Sequence, residues 1–480
     1  MSIKLLLEFA VVLGAIFLGS RSGGVGLGLW GGVGILVLSY FFGLPPTSAP
    51  IDVMLIILAV VMAASVMEAA GGIDYLVGLA ERIIRRNPKH ITIVAPFVAY
   101  VFSFGSGTGH VFYPLLPIIY EVAYENGIRP ERPLSVSTIA SQQAITASPV
   151  SAAMAGMIAL YEPLGLNLIK IMCIALPATL IGIAVAALVQ MKIGKELKDD
   201  PEYNRRLREG LIQPPTNAPG MRPESAAVLR LNRTPDSEAE TYEMSIQPNG
   251  TAAVVSAEEK THLPPGAKIS ALMFLFSVAL VVLSGLFPGL RPQVPQGDAF
   301  VPLGMATAIQ IVMLATAALI LAVTKPPTAS IPKTNVAQAG LTAVIGIFGL
   351  AWLGDTFIKG NEKIIMASIG DLTTNYPFLF AVALFFASVL LFSQAATTRA
   401  LMPLGISLGI PHASLVGMWP AVNGYFFLPT YGSLIAAISF DHSGTTRIGR
   451  YILNHSFMIP GLVSTITAVA VGLAIAKFFF

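Results

Sequence analysis

The stretch Phe102-Ser103-Phe104-Gly105-Ser106-Gly107-Thr108-Gly109-His110 decides how the chain is read, because it sets glycines, hydroxyls and an imidazole inside a long apolar region. Glycine lets a backbone leave helical geometry. Ser106, Thr108 and His110 bring hydrogen-bond donors. At membrane depth, irregular polar backbone is tolerated only where protein buries it or where it lines a water-filled cavity. The stretch is therefore a binding tip or a packing defect. A related feature recurs later in the chain, which favours a tip.

Membrane depth follows from composition. Hydrophobic residues make up 54% of the 480 and charged ones 11%, against about 25% charged in a soluble domain. Mean hydropathy is +0.73. These values predict an all-α polytopic membrane protein. A net charge of +3 is too small to suggest a nucleic-acid partner. The single cysteine, Cys173, cannot form an internal disulfide. Residues 5–19 could mimic a signal peptide, but Arg21 follows the apolar run and no small-residue cleavage site precedes the next one, so a retained first helix is expected.

Apolar runs long enough to span lie near 4–20, 24–43, 51–71, 134–160, 168–190, 268–288, 301–323, 336–353, 414–439 and 456–478. Basic residues gather after the first, third, fifth, seventh and ninth runs and before the fourth. The positive-inside rule makes those loops cytoplasmic and puts both chain ends on the outer side. Lys4, Lys359 and Lys363 dissent and are outnumbered.

Residues 91–126 break the alternation, since basic loops of the same side bound them at both ends. The first arm, 91–105, would rise about 22 Å, short of the roughly 30 Å apolar core. The reading is a re-entrant hairpin with Gly105–His110 at its tip. Its counterpart is 376–409, with Ser393-Gln394-Ala395-Ala396-Thr397-Thr398-Arg399 in the middle. At one constant offset Pro88 falls on Pro377, Thr108 on Thr397, His110 on Arg399 and Pro114 on Pro403. Each half then reads as three spans, a hairpin and two spans. An odd number of crossings inverts the second half, and inverted repeats with broken helices are the plan of many secondary transporters. The expected division is a first repeat over 1–191, a cytoplasmic linker over 192–267 and a second repeat over 268–480. The linker is rich in proline and charge and should be mostly disordered, apart from a short surface helix over 199–211. Residues 73–86 read as an interfacial amphipathic helix with Leu76, Leu79, Ile83 and Ile84 on one side, and 354–370 as its weaker match.

The span after each hairpin is interrupted. In 134–160 the break is Ala144-Ile145-Thr146-Ala147-Ser148-Pro149, and in 414–439 it is Leu428-Pro429-Thr430-Tyr431-Gly432-Ser433. Proline removes a backbone donor, and an ordinary kink is the competing account. Four interrupted helices offer four helix starts, each worth about half a positive charge. Together they would suit a dianion without burying fixed cations, which is expensive in a membrane. Arg399 lies in the middle of an apolar hairpin; it reads either as a bidentate carboxylate partner or as half of a structural ion pair. His110 is either a carboxylate or proton ligand or a packing residue. The candidate substrate-binding set is Ser106, Gly107, Thr108, Gly109 and His110, with Thr146, Ser148 and Pro149 from the first break. The second half contributes Ser393, Gln394, Thr397, Thr398 and Arg399, with Thr430, Gly432 and Ser433. Of the few acidic residues near spans, Glu8, Asp52, Glu68, Glu121, Asp355 and Asp441, most read as interface residues, and a coupling-proton role for one stays open. No metal cluster, phosphate loop or catalytic triad is visible, so neither a cofactor nor enzymatic activity is expected.

Several motifs resemble the anaerobic C4-dicarboxylate transporter family (Dcu). They are Arg85-Arg86-Asn87-Pro88, Gly107-Thr108-Gly109-His110, the first break, Ala351-Trp352-Leu353-Gly354-Asp355-Thr356, Ser393-Gln394-Ala395-Ala396-Thr397, and Gly444-Thr445-Thr446-Arg447-Ile448-Gly449 followed by Asn454-His455. The likeness covers nearly all of the chain outside the linker, which is longer and richer in proline than the family's pattern. It implies exchange of fumarate, malate or aspartate for succinate across the bacterial inner membrane, in support of fumarate respiration, by an elevator motion of the hairpin domain. It would also make the outer side, where both chain ends are expected, the periplasm. Expected partners are C4-dicarboxylates and membrane lipid, with a second copy of the chain and a sensor kinase as further candidates. The alternatives are a same-fold transporter of another organic anion, or a membrane sensor that binds dicarboxylates without moving them.

Overall fold

The computed structural model describes residues 3–22, 25–215, 242–246, 252–256, 263–296, 299–357, 359–361, 364, 378–391, 393–428, 431–449 and 454–479. Among these, six helices are long and apolar enough to cross a membrane: Glu131–Leu164, Leu168–Gln190, Ala267–Leu286, Met305–Thr324, Asn335–Asn361 and Met458–Phe478. A bent pair, Met54–Ala69 with Gly72–Arg86, makes a seventh if counted as one span. This is a mostly helical, multi-pass architecture.

The chain opens with α1 (Ile3–Ser22), α2 (Gly26–Tyr40) and α3 (Ile51–Ala69). Gly71 has φ +79°, a left-handed conformation that side chains resist, and it turns the chain by 74° into α4 (Gly72–Arg86). The amphipathic helix expected at 73–86 is there, but its packed face is Ile73, Ala80 and Ile84. Leu79 and Ile83, expected on the same side as Ile84, lie exposed. A polytopic protein leaves such residues for lipid rather than for its own core.

The first hairpin consists of α5 (Ile91–Ser106) and α6 (Leu115–Glu125). The interrupted span follows as α7 (Glu131–Ala147) and α8 (Ala152–Tyr161). Ser148, ahead of Pro149, is extended at ψ 128°, the conformation that a following proline imposes. Ser151 then accepts the Met154 N–H at 3.0 Å and caps α8. Helix α9 (Leu168–Gln190) starts on a cap from Asn167.

Within the region read as a linker, α10 (Pro201–Arg208) forms on the Asp200 cap, close to the expected 199–211 helix. It does not hang free. Arg129, 3% exposed, pairs with Glu131 and with Asp200 at 2.5 Å each. Arg132 reaches the Ile193 and Gly194 carbonyls and Glu196. Arg206 donates to the His442 carbonyl at 2.9 Å. The start of the linker is thus bound beneath α7 and the 441–446 loop. Antiparallel pairing of 242–246 with 252–256, and of 293–296 with 299–302, adds two small β-hairpins to the expected all-α plan.

The later part contains α11 (Ala267–Leu286), α12 (Met305–Thr324) and α13 (Asn335–Gly346), the last continuing through a π turn at Ile347–Ala351. The second hairpin pairs α14 (Phe378–Leu391) with α15 (Gln394–Ser407). Its interrupted span runs as α16 (His412–Met418), a 3-10 stretch Trp419–Phe426, and α17 (Gly432–Phe440). The sequence placed one break at 428–433, whereas α-geometry already ends at Trp419-Pro420, and Asn423 has φ −95° and ψ 27°. The last helix is α18 (Met458–Phe479). Most of 354–370 falls outside the described residues. Helix α6 packs on α17 and α15 packs on α8, while α9 packs along α18.

Four of the acidic residues near the spans have structural partners. Glu68 on α3 accepts the Asn335 and Val336 N–H groups at 3.2 and 2.9 Å and so caps α13. Glu8 accepts from Asn361 at 2.7 Å, and Glu121 pairs with Arg85 at 2.8 Å. Asp441 holds Ser443, Thr445 and Thr446. The side chain of Asp52 lies outside the described residues.

Candidate binding site

Both hairpin tips end on one cavity of about 160 Å³, well above the ~10–15 Å³ that admits a single water. Ser106, Gly107, Thr108 and Gly109 form one wall, and Ser393, Gln394 and Ala395 the other. Ala152 and Ala153 of α8, Gln142 of α7, Tyr113 and Tyr431 complete the polar side. Residues of α3 and α13, among them Val61, Ala64 and Gly340, close it with an apolar surface.

Local chemistry explains why each wall holds its shape. Gly107 has φ +71° and ends α5; a Cβ there would lie 2.6 Å from the Val150 carbonyl oxygen. The Ser106 hydroxyl folds back onto the Phe102 and Thr108 carbonyls at 2.8 and 3.2 Å. In the second tip, Ser393 accepts the Ala396 N–H at 3.2 Å and starts α15. Three helices therefore begin at this cavity: α8 at Ala152, α15 at Gln394 and α17 after Tyr431. Their unpaired N–H groups and dipoles make the space favourable to negative charge.

The other expected residues stand behind the walls. The Ser148 hydroxyl donates to the Phe104 carbonyl at 2.6 Å, which ties the break in α7–α8 to the first hairpin. Pro149 is buried in that break. Thr146 donates to the Gln143 carbonyl and accepts from Asn423. Thr397 and Thr398 donate to the Ser393 and Gln394 carbonyls, and Thr398 also accepts from the Trp419 indole at 2.8 Å. Arg399 is 7% exposed and sits off the cavity. Its aliphatic stem crosses α8, 3.0 Å from where a Cβ on Gly156 would be, and its charge acts on Asp355. Gly432 approaches the Tyr113 hydroxyl, and the buried Ser433 hydroxyl has no partner among the described residues. The His110 side chain and Thr430 lie outside the described residues. Among the described residues no group of three or more His, Cys, Asp or Glu side chains could hold a metal ion.

The sequence reading missed an amide chain behind and beside the cavity. Gln394 donates to Gln142 and to Asn423 at 3.1 and 3.2 Å. Asn423 donates to Gln143 at 3.1 Å, and Gln143 to Thr465 at 3.1 Å. The available signal was the rarity of amides in spanning helices, where polar side chains face the protein interior.

An anaerobic C4-dicarboxylate membrane transporter family model matches residues 4–480. The chain is 40% identical over 476 residues to the C4-dicarboxylate transporter DcuA of Escherichia coli (strain K12), covering 99% of each. It is 38% identical over 472 residues to DcuA of Wolinella succinogenes, covering 98% of this chain and 99% of the relative. It is 37% identical over 462 residues to the anaerobic C4-dicarboxylate transporter DcuB of Escherichia coli O6:H1, covering 95% of each. Likeness of this extent runs through both hairpins and both breaks, and the chain belongs to the anaerobic C4-dicarboxylate membrane transporter family.

Proposed function

We propose that this protein is a secondary transporter that exchanges C4-dicarboxylates across a bacterial inner membrane, taking up fumarate, malate or aspartate and releasing succinate. The observation that carries this reading is the cavity bounded at once by both hairpin tips and by three helix starts. Three starts at about half a charge each offset about one and a half negative charges with dipoles and N–H groups rather than with cations in the cavity. Thr108, Ser393 and the backbone around Gly107, Gly109 and Ala152 are the first contacts, and Ser106, whose hydroxyl donates back to the Phe102 and Thr108 carbonyls, shapes the tip. Arg399 acts from behind the second tip and offsets charge over a longer range.

In this reading the two halves are inverted repeats joined by 192–267, and both chain ends are periplasmic. The hairpins, the broken helices, α9 and α18 move as one body against α1–α3 and α11–α13. Substrate neutralises the positive field of the helix starts, so the loaded body crosses the apolar scaffold and the empty one does not. That difference enforces exchange.

Purified protein in liposomes loaded with succinate should take up labelled fumarate, and liposomes without internal dicarboxylate should not. Uptake that ignores internal succinate would remove the exchange mode. Succinate binding with no counterflow would turn the reading into a sensor, and counterflow driven only by another anion would change the substrate.

A further inference from the structure

We infer that Gln142 binds a carboxylate of the transported acid through its side-chain N–H₂, held in that orientation by Gln394 and Asn423; this rests on the proposed dicarboxylate site. The reasoning starts from a group with no choice. The Pro420 carbonyl can only accept, and Asn423 Nδ2 lies 3.1 Å from it. The nitrogen end of Asn423 must therefore face Pro420, and its Oδ1 faces Gln394. That oxygen accepts from Gln394 Nε2 at 3.2 Å. The same nitrogen lies 3.1 Å from Gln142 Oε1. Both N–H bonds of Gln394 are thereby used, and Gln142 must turn its oxygen towards Gln394 and its nitrogen away.

That nitrogen has no hydrogen-bond partner among the described residues, although Gln142 is 2% exposed and lines the cavity. A donor left unpaired in a buried site costs free energy, which a bound acceptor returns. The amide fits there only because position 109 is glycine, since a Cβ on Gly109 would lie 2.3 Å from Gln142 Nε2. The amide is thus pressed against the glycine tip, beside the start of α15, where the second wall begins. Asn423 and Gln394 are positioning residues, because their own donors are committed to protein acceptors.

The test uses equilibrium binding of labelled succinate to the purified full chain, with succinamate, the monoamide, as competitor. Gln142→Glu keeps an oxygen for Gln394 and exchanges only the cavity-facing N–H₂ for an acceptor. Succinate affinity should fall on the order of 10-fold or more, the effect of losing a hydrogen bond to a charged group, and preference should move towards succinamate. Asn423→Ala removes the lock, so Gln142 can present either end, and discrimination between the two ligands should narrow while the protein still melts cooperatively. Unchanged succinate affinity in Gln142→Glu, or undiminished discrimination in Asn423→Ala, would overturn the assignment. Wild-type protein that binds succinate without counterflow sinks the transport reading and leaves the Gln142 test intact. Wild-type protein that binds no succinate sinks both.

Discussion

Gly105 and Gly107 stand two positions apart in the first tip and should respond to alanine in opposite directions. Gly105 is helical, and its nearest neighbour to a new Cβ would be Leu275 Cδ2 at 3.4 Å, an ordinary contact. Alanine there should add roughly 0.5–1 kcal/mol of stability. Gly107 is left-handed at φ +71°, and its Cβ would meet the Val150 backbone oxygen at 2.6 Å. Alanine there costs about 1–2 kcal/mol for the conformation alone, and the clash with backbone adds to it. Thermal unfolding in detergent should place Gly105→Ala at or above wild type and Gly107→Ala clearly below. The reverse order would mean that the tip is not built this way. These glycines were legible because small residues and hydroxyls stand out in an apolar run. Gln142 and Asn423 are as anomalous, but a polar residue inside a helix carries no local sign of where it points. Their partners lie 252 and 280 positions away in the chain, so only the packed halves reveal the chain of amides.

Among the elements, the first break was legible to within a residue or two, because a serine before proline is pushed to an extended backbone and the next serine can cap. The second span leaves α-geometry ahead of the 428–433 signal, although α17 does begin inside that stretch, at Gly432. The departure comes at Trp419-Pro420, and a proline at the first turn of a helix is compatible with either geometry. Helix α10 was legible from charge spacing, but its attachment was not, since that depends on Arg129 and the 441–446 loop. The same charges give it a pH limit. Arg205 first, and Arg206 with it, hold the Glu202 carboxyl down at about 2, against an ordinary value near 4.5. A folded value below the unfolded one means that the ionised carboxylate stabilises α10 above about 4.5, and that this support is lost as pH falls towards about 2. The Glu202 side chain is partly open to solvent, 26% exposed, so salt should weaken the effect. Amide protection over 201–208, normalised to an unstructured peptide at each pH, should hold steady above pH 5 and decline below about 4.5. Glu202→Gln should abolish that decline. A decline that survives the substitution would assign the pH response to another group.

At the scale of the whole molecule, the proposed motion divides the helices into a body that carries both hairpins and a scaffold that does not, and the two meet along the apolar side of the cavity. Ala64 of α3 and Ala153 of α8 line that space from opposite sides of the division. Thr47 and Thr356, whose hydroxyl oxygens lie 3.3 Å apart, fall on the scaffold side of the proposed division. With the single native cysteine, Cys173, replaced by serine, paired cysteines at 64 and 153 bridged by a short bifunctional thiol reagent should stop counterflow. A disulfide between cysteines at 47 and 356 should leave it running, because the proposed motion does not separate them. Cleaving the bridges chemically should restore the first pair to the activity of its uncrosslinked form, which removes damage from labelling as an explanation. Transport through an intact 64–153 bridge would require the cavity to open on each side without relative movement of α3 and α8. The hairpin tips would then be local gates in a fixed site, and neutralising the substrate's charge would no longer be needed to carry a body across the membrane. The physical basis of exchange would move from the cost of dragging an empty, positively polarised site through an apolar scaffold to the cost of opening one tip without ligand.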